Sequence, residues 1–390
     1  LRRFRSLRSL ALRGGVIKGV SKKFLANFPS LFILDLSNNE LRKIPGDLLQ
    51  PLYRLMIFQL NGNQLDDLPN NLFCNLVMLY SVNLNSVFRA RRFPADLFGG
   101  DAPEACHSAT YNFLQILRLS MNDFDVVPDS AFARISRIPN ELQLAGSGIN
   151  QLKPDAFKGL SKVKMLCLDD NNISELPPQI FHPMLSLEQV TIANNSLVSL
   201  SVSHFAPLPN FYAFDASVRF SLLLGYNNIS SLPDGVFSGI HRLTELSLRH
   251  NSFSSVSRGL FGHGWQLERL DLSNNRITKL PLNIFQKLPM LSWLNLSGNS
   301  LDVLTRNHLQ NVSMLRTLDV SLNRLTNLNS SILEMRSSIL DEVDLSGNPW
   351  NCSCALEPVF RWMNHHPDKV KHSEETVCFH PGRYAGQILV

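Results

Sequence analysis

Six cysteines and eleven histidines carry the richest chemistry in this chain, and the cysteines are unevenly spread. Cys352, Cys354 and Cys378 crowd the last 39 positions, with His365, His366, His372 and His380 beside them. Thiols and imidazoles at such spacings can ligate zinc, or the thiols can pair as disulfides. Asn348-Pro349-Trp350-Asn351 leads straight into these cysteines, and Phe360, Trp362 and Met363 follow. That company favours a disulfide-bonded apolar cap, with no metal and no cofactor. Cys74 and Cys106 form a second candidate pair. A bond between them would close 33 residues and, on the chain-entropy account, contribute roughly 3–4 kcal/mol. The other reading of that pair is two unpaired buried thiols. Cys167 stands apart and reads as solvent-facing.

Catalytic constellations are missing. The chain contains no Gly-x-Ser-x-Gly, no phosphate loop and no His-Glu-x-x-His. Its carboxylates recur because a longer frame recurs, which signals repetition and not acid–base catalysis. A binding role is expected, not an enzyme.

That frame positions everything else. Leu31-Phe32-Ile33-Leu34-Asp35-Leu36-Ser37-Asn38-Asn39-Glu40-Leu41 fits L-x-x-L-x-L-x-x-N-x-L, and it returns at Leu55, Leu79, Leu114, Val163, Leu187, Leu243, Leu267, Leu291 and Leu315. Weaker copies start at Leu7, Pro139 and Phe211, giving about 14 repeats of about 24 residues. Alternate side chains of a strand face opposite ways, so Leu34 and Leu36 turn inward and Asp35 outward. The asparagine of each copy, such as Asn39, Asn63, Asn171 and Asn275, sits where its amide can bond the backbone of its own turn and its neighbours'. A large apolar residue follows ten positions later, as in Phe73, Phe132, Phe157, Phe181, Phe205, Phe237, Phe261 and Phe285. Stacked, these rings form one column along the convex wall, where a Phe→Ala change would cost about 3–5 kcal/mol. The fold class is therefore α/β: a leucine-rich repeat solenoid, a curved horseshoe with a parallel concave sheet roughly 60 Å across. Each convex return is too short for a full helix.

The 390 residues carry 37 Lys+Arg, 32 Asp+Glu and 44% hydrophobic residues. That excludes a disordered chain, and the mild net charge of +5 gives no reason to expect nucleic acid. The solenoid is expected over residues 1–351, with irregular repeats at 79–113 and 211–242. The first irregular repeat contains Cys106 and puts Val87 at the asparagine position. In the second, Phe211, Phe214 and Ala216 begin a frame that resumes in a new phase at Leu222, either as an eight-residue excess or as two fused copies. Residues 352–390 are expected to be a cap that shields the open end of the stack. Leu1 is not a start methionine and no signal peptide stands behind it, so the chain reads as a piece of a longer one.

The Asn-Pro-Trp-Asn-Cys-Ser-Cys run and Cys378-Phe379-His380-Pro381-Gly382-Arg383-Tyr384-Ala385-Gly386 resemble the cysteine-rich C-terminal flank of extracellular leucine-rich repeat proteins, most of all that of Toll and Toll-like receptors. The resemblance implies that Cys352 pairs with Cys378 and that Cys354 pairs with a cysteine beyond the chain end. Leu72-Phe73-Cys74 before a cysteine-bearing irregular repeat is similar to the long invertebrate Toll receptors. From the resemblance follow an extracellular part of a plasma membrane receptor, a secreted cystine-knot cytokine or microbial product as ligand, and a receptor homodimer. An adhesion, matrix or guidance protein without a TIR domain is the alternative.

The outward strand position runs Asp35, Gln59, Asn83, Arg118, Gln143, Cys167, Thr191, Asp215, Ser247, Asp271, Asn295, Asp319 and Asp344, polar throughout and acidic toward its end. Asp271, Asn295, Asp319 and Asp344, with the cationic Arg89, Arg91 and Arg92, are the candidate ligand contacts. Such charge asymmetry steers partners. This row lacks the rings that a single-strand platform interleaves with its cations, so nucleic acid is an unlikely partner. Glycan acceptors occur at Asn172, Asn194, Asn228, Asn295, Asn311, Asn329 and Asn351, with Asn295 expected to project its glycan from the concave sheet.

Overall fold

The computed structural model describes residues 4–74, 76–95, 114–135, 140–205, 219–262, 266–334 and 336–388. The chain divides into two compact units, one built on Leu1–Ser196 and the other on Leu197–Pro207 with Phe214–Val390. Both carry turns of a parallel-sheet solenoid, about 14 turns in all.

In the first unit the strands are Ser9–Ala11, Ile33–Asp35, Ile57–Gln59, Ser81–Asn83, Ile116–Arg118, Glu141–Gln143, Met165–Cys167 and Gln189–Thr191, each paired in parallel with the next. Register is fixed by the frame: Leu34 lies opposite Phe58, Phe58 opposite Val82, and Val82 opposite Leu117. All four are fully buried. The 35-residue copy is thus a single turn, because Ser81–Asn83 pairs directly with Ile116–Arg118.

The second unit repeats the pattern with Phe220–Leu223, Leu243–Ser247, Arg269–Asp271, Trp293–Asn295, Thr317–Asp319, Glu342–Asp344 and Val370–Lys371. The positions expected to begin the second irregular copy (Phe211, Phe214, Asp215, Ala216) lie outside the described residues. Asn227 Oδ1 accepts the Leu197 N–H at 3.0 Å, across 30 residues where regular copies span 22, as from Asn251 to Ile229. Leu197 and Asn227 are therefore ladder partners across the irregular copy.

The asparagine ladder explains why three-residue strands suffice. Asn275 Nδ2 donates to the carbonyls of Leu248, Leu272 and Ser273 at 3.0, 3.0 and 3.1 Å, while its Oδ1 accepts the Phe253 N–H at 3.1 Å. One buried amide thus satisfies turn groups of two successive copies. Where Val87 replaces asparagine, Asn122 of the next copy accepts from both Val87 and Phe88 N–H. The phenylalanines supply the opposite wall: Phe132 and Phe157 stack at 6.3 Å, Phe205 meets Phe237 at 6.2 Å, and Phe261 meets Phe285 at 6.1 Å. Returns are turns and single helical turns, such as Lys22–Leu25, Ala133–Ile135, Arg306–His308 and Ser331–Glu334.

At the end of the second unit, the strand Trp350–Asn351 pairs with Cys378–His380, and the helix Glu357–His365 buries Val359, Trp362 and Met363. Trp350 Nε1 donates to the Leu345 carbonyl at 3.0 Å and Trp362 Nε1 to Ser337 Oγ at 2.7 Å, so both indoles enter the core with their polar edge satisfied. Among the described residues no helix is long and apolar enough to cross a membrane.

Candidate functional site

The outward face of each sheet is where a partner can touch, and its side chains sort by frame position. The acidic candidates line up: Asp271 lies opposite Asn295, Asn295 opposite Asp319, and Asp319 opposite Asp344. Their side-chain oxygens, carboxylate in the three aspartates and amide in Asn295, are less free than the alternation suggested. In each copy the Oδ1 accepts both the N–H and the Oγ–H of the serine two residues on: Ser273, Ser297, Ser321 and Ser346. Asp344, expected outward, is 8% exposed, and its Oδ2 meets His372 Nδ1 at 2.6 Å. Burial pushes the Asp319 carboxyl above the usual range; its Ser321 hydrogen bonds oppose this and the nearby Asp344 charge adds to it.

Flanking charges are also paired. Arg219 reaches Glu268 at 3.1 Å, Arg269 reaches Glu245 at 3.6 Å, Arg316 reaches Asp341 at 3.2 Å and Lys371 reaches Glu342 at 3.5 Å. Arg269 also lies 4.4 Å over the Trp293 ring. The flanking carboxylates are therefore offset by cross-strand cations, while Asp271 and Asp319 on the row itself make no ion pair among the described residues.

Arg89, Arg91 and Arg92 are exposed, but they follow the strand Ser81–Asn83 and lie off the sheet face. Arg91 pairs with Asp123 at 3.0 Å. Cys167 holds the outward position between buried Leu166 and Leu168, is half-buried there, and donates to Asp169 Oδ2 at 3.4 Å; burial raises its thiol pKa.

The structure joins Cys352 to Cys378, with Cα atoms 5.6 Å apart, and leaves Cys354 an exposed thiol. Cys74 is disulfide-bonded; its expected partner Cys106 lies outside the described residues. Six of the seven glycan acceptors, Asn172, Asn194, Asn228, Asn311, Asn329 and Asn351, are exposed. Asn295 is the exception: it is half-buried, and its Oδ1 is held by Ser297. No group of three or more His, Cys, Asp or Glu among the described residues could hold a metal ion.

The outward strand row alone understated the first unit's sheet face. One position before each strand stand Phe32, Met56 and Tyr80, linked by backbone bonds from Met56 N–H to the Phe32 carbonyl and from Tyr80 N–H to the Met56 carbonyl, both 2.8 Å. Inside the strands, Ile33 lies opposite Ile57, and Ile57 opposite Ser81. The face expected to be polar therefore carries rings and aliphatic side chains. Reading two frame positions more would have found them.

Among solved structures, 98% of the chain superimposes on the TLR13 chain of a TLR13–ssRNA13 complex at a TM-score of 0.83 and 23% identity, spanning 52% of that chain. A leucine-rich repeat protein of Leptospira interrogans matches at 0.75 and 22%, covering 95% of this chain and 85% of that one. The Toll–Spatzle complex of Drosophila matches at 0.67 and 19%, covering 95% and 62%. These likenesses establish the fold, and the expectation against nucleic acid gains no support from them. Curated relatives match only locally. A phospholipase A2 inhibitor of Gloydius brevicaudus siniticus is 42% identical over 45 residues, 12% of this chain and 14% of that protein. Leucine-rich repeat-containing protein 26 of Homo sapiens is 46% identical over 37 residues, 10% and 11%. The leucine-rich repeat family model matches residues 5–65, 139–197, 221–264 and 265–325, more than half of the sequence, and the chain belongs to the leucine-rich repeat family.

Proposed function

We propose that this chain is the ligand-binding ectodomain portion of a Toll-type transmembrane receptor, recognising a secreted cystine-knot cytokine or a microbial product and signalling as a homodimer in innate immunity or development. The observation that carries this reading is a stack of short parallel strands whose outward side chains are open to a partner, in a fold shared with Toll and TLR13 structures solved with ligands. The Cys352–Cys378 bond and the bonded Cys74 fit an oxidising, extracellular compartment. By the same resemblance Cys354 takes a partner beyond Val390, and Cys74 takes Cys106. The role is binding, not catalysis.

A second reading, an extracellular adhesion, matrix or guidance protein without a TIR domain, draws on the same fold occurring in a leucine-rich repeat protein of Leptospira interrogans, of which this chain covers 85%. The test is retention of purified cystine-knot cytokines on the immobilised chain at low and high salt, with single-stranded RNA as a separate arm. Salt-weakened retention of a cytokine supports the receptor reading. A chain that holds neither cytokine nor RNA at either salt overturns it.

A further inference from the structure

The first unit's sheet face carries an apolar surface that the fold does not require. Phe32, Ile33, Met56, Ile57 and Tyr80 occupy adjacent positions on neighbouring strands, about 4.8 Å apart, and Ile116 follows one strand further on, opposite Ser81. Strand propensity accounts for the isoleucines. It does not account for Phe32, Met56 and Tyr80, which precede their strands, nor for Met56 being 36% and Tyr80 42% exposed. In the second unit the corresponding frame positions are Glu268, Ser292, Arg316 and Asp341, so the frame itself is satisfied by polar residues. Met56 and Tyr80, exposed and flanked by half-buried Phe32, Ile33 and Ile57, make an apolar patch of the kind that marks an interaction site.

Cations border this surface. Arg8 lies 5.7 Å over the Phe32 ring, and Arg118 lies in register with Asn83 beside Ile116. Neither makes an ion pair with a carboxylate among the described residues, in contrast to Arg219, Arg269 and Arg316. Two carboxylates share the face: Asp35 spends its Oδ1 on Ser37 N–H and Oγ–H, and Glu141, in register with Ile116, accepts from Gln143 Nε2. We infer that this patch docks a protein segment whose apolar side chains are flanked by Asp or Glu, the carboxylates meeting Arg8 and Arg118 and the apolar groups covering Met56, Ile57 and Tyr80. Aromatic and arginine anchors of this kind dominate protein interfaces. Single-stranded nucleic acid fits less well, because it stacks bases on successive rings and needs a cation near each phosphate. Here Met56 separates the two rings.

This inference rests on the reading that the chain binds a protein ligand, and it names where. The probe is a phage-displayed library of random twelve-residue peptides, panned on the intact purified chain. Selected peptides are expected to combine apolar residues with Asp or Glu. They should bind about tenfold or more weakly to the Met56→Lys/Tyr80→Ser double variant and to Arg118→Glu, and unchanged to Lys287→Gln, an exposed residue of the second unit that is no candidate contact. Met56 and Tyr80 are exposed, so circular dichroism melts should match wild type; a variant that melts early is replaced by Ile57→Thr. Peptides that bind the double variant as well as wild type, or no enrichment, overturn the inference. So does Tyr80-dependent binding of a uridine 20-mer, or self-association that vanishes in the double variant. Cytokine retention that survives Met56→Lys/Tyr80→Ser removes the patch and leaves the receptor reading. Peptide selection on the patch without any cytokine or RNA retention does the reverse.

Discussion

His372 Nδ1 sits 2.6 Å from Asp344 Oδ2, joining the capping segment to the last regular strand of the second unit. The hydrogen bond to Asp344 is the main cause that raises the imidazole pKa, helped by the Asp344 charge and then by Glu375 and Glu374. A histidine raised on folding contributes stability that is fully present below its unfolded value, about 6.5, and is lost as pH rises through the folded value. The raised Asp319 carboxyl works in the same direction at lower pH, favouring the folded state as it takes up its proton. Buried His308 opposes them, since burial lowers its pKa and its neutral form is favoured on folding. Comparing wild type with His372→Asn isolates the first effect. The variant should melt below wild type at pH 6 and close to it at pH 9. An equal gap at both values would show that the contact is not charge-linked.

Asn275 bonds four backbone groups from two copies of the repeat. Asn275→Leu keeps the branched outline and strands those groups in a buried turn, at a cost of about 2–4 kcal/mol. Asn172→Ala, exposed one position after its own ladder asparagine, should stay within about 0.5 kcal/mol. Chemical denaturation of both variants checks the contrast. Equal midpoints would mean that the ladder amides are replaceable by water.

The repeat was legible because leucine, asparagine and phenylalanine hold fixed offsets, and each offset has one physical job. A conformational column beside them was not. The residue before each ladder asparagine is left-handed, with φ of 54° at Asn38, 57° at Met121, 55° at Tyr226 and 52° at Leu322. Met121, Tyr226, His250 and Leu322 conceal that shared backbone state, although Asn38, Gly62, Asp170, Asn194, Asn274, Gly298 and Gly347 at the same place are residue types that favour it. The sheet face was half legible for a related reason. The outward strand position alternates cleanly with buried leucines, whereas Phe32, Met56 and Tyr80 lie outside the strands, where alternation gives no rule. Partnering was also hidden: nothing in the order of residues says that Glu245, 24 positions before Arg269, neutralises it.

Glycan occupancy should follow exposure. Oligosaccharide transfer needs the asparagine amide free and the acceptor in an open segment. Asn295 is half-buried in a paired strand with its Oδ1 held by Ser297, so glycopeptide mass spectrometry of the secreted chain should find it bare. Glycans should be confined to Asn172, Asn194, Asn228, Asn311, Asn329 and Asn351. An occupied Asn295 would show that the acceptor is modified before the sheet closes.

Gly298 holds the left-handed place in its copy at φ 63°, and a Cβ there would lie 2.4 Å from Asn274 Oδ1 of the preceding copy. Asn274 is a flexible side chain and can swing away, so the clash is the smaller part of the cost. The backbone conformation is the larger part, at about 1–2 kcal/mol for an ordinary residue. Asparagine tolerates this region, and the chain itself places asparagine there at Asn38, Asn194 and Asn274. Gly298→Asn should therefore melt nearer to wild type than Gly298→Val, whose branched Cβ meets both penalties. If valine and asparagine lowered the melting temperature equally, the side-chain collision with Asn274 would be the controlling factor, and shortening it in Gly298→Val/Asn274→Gly would restore the loss.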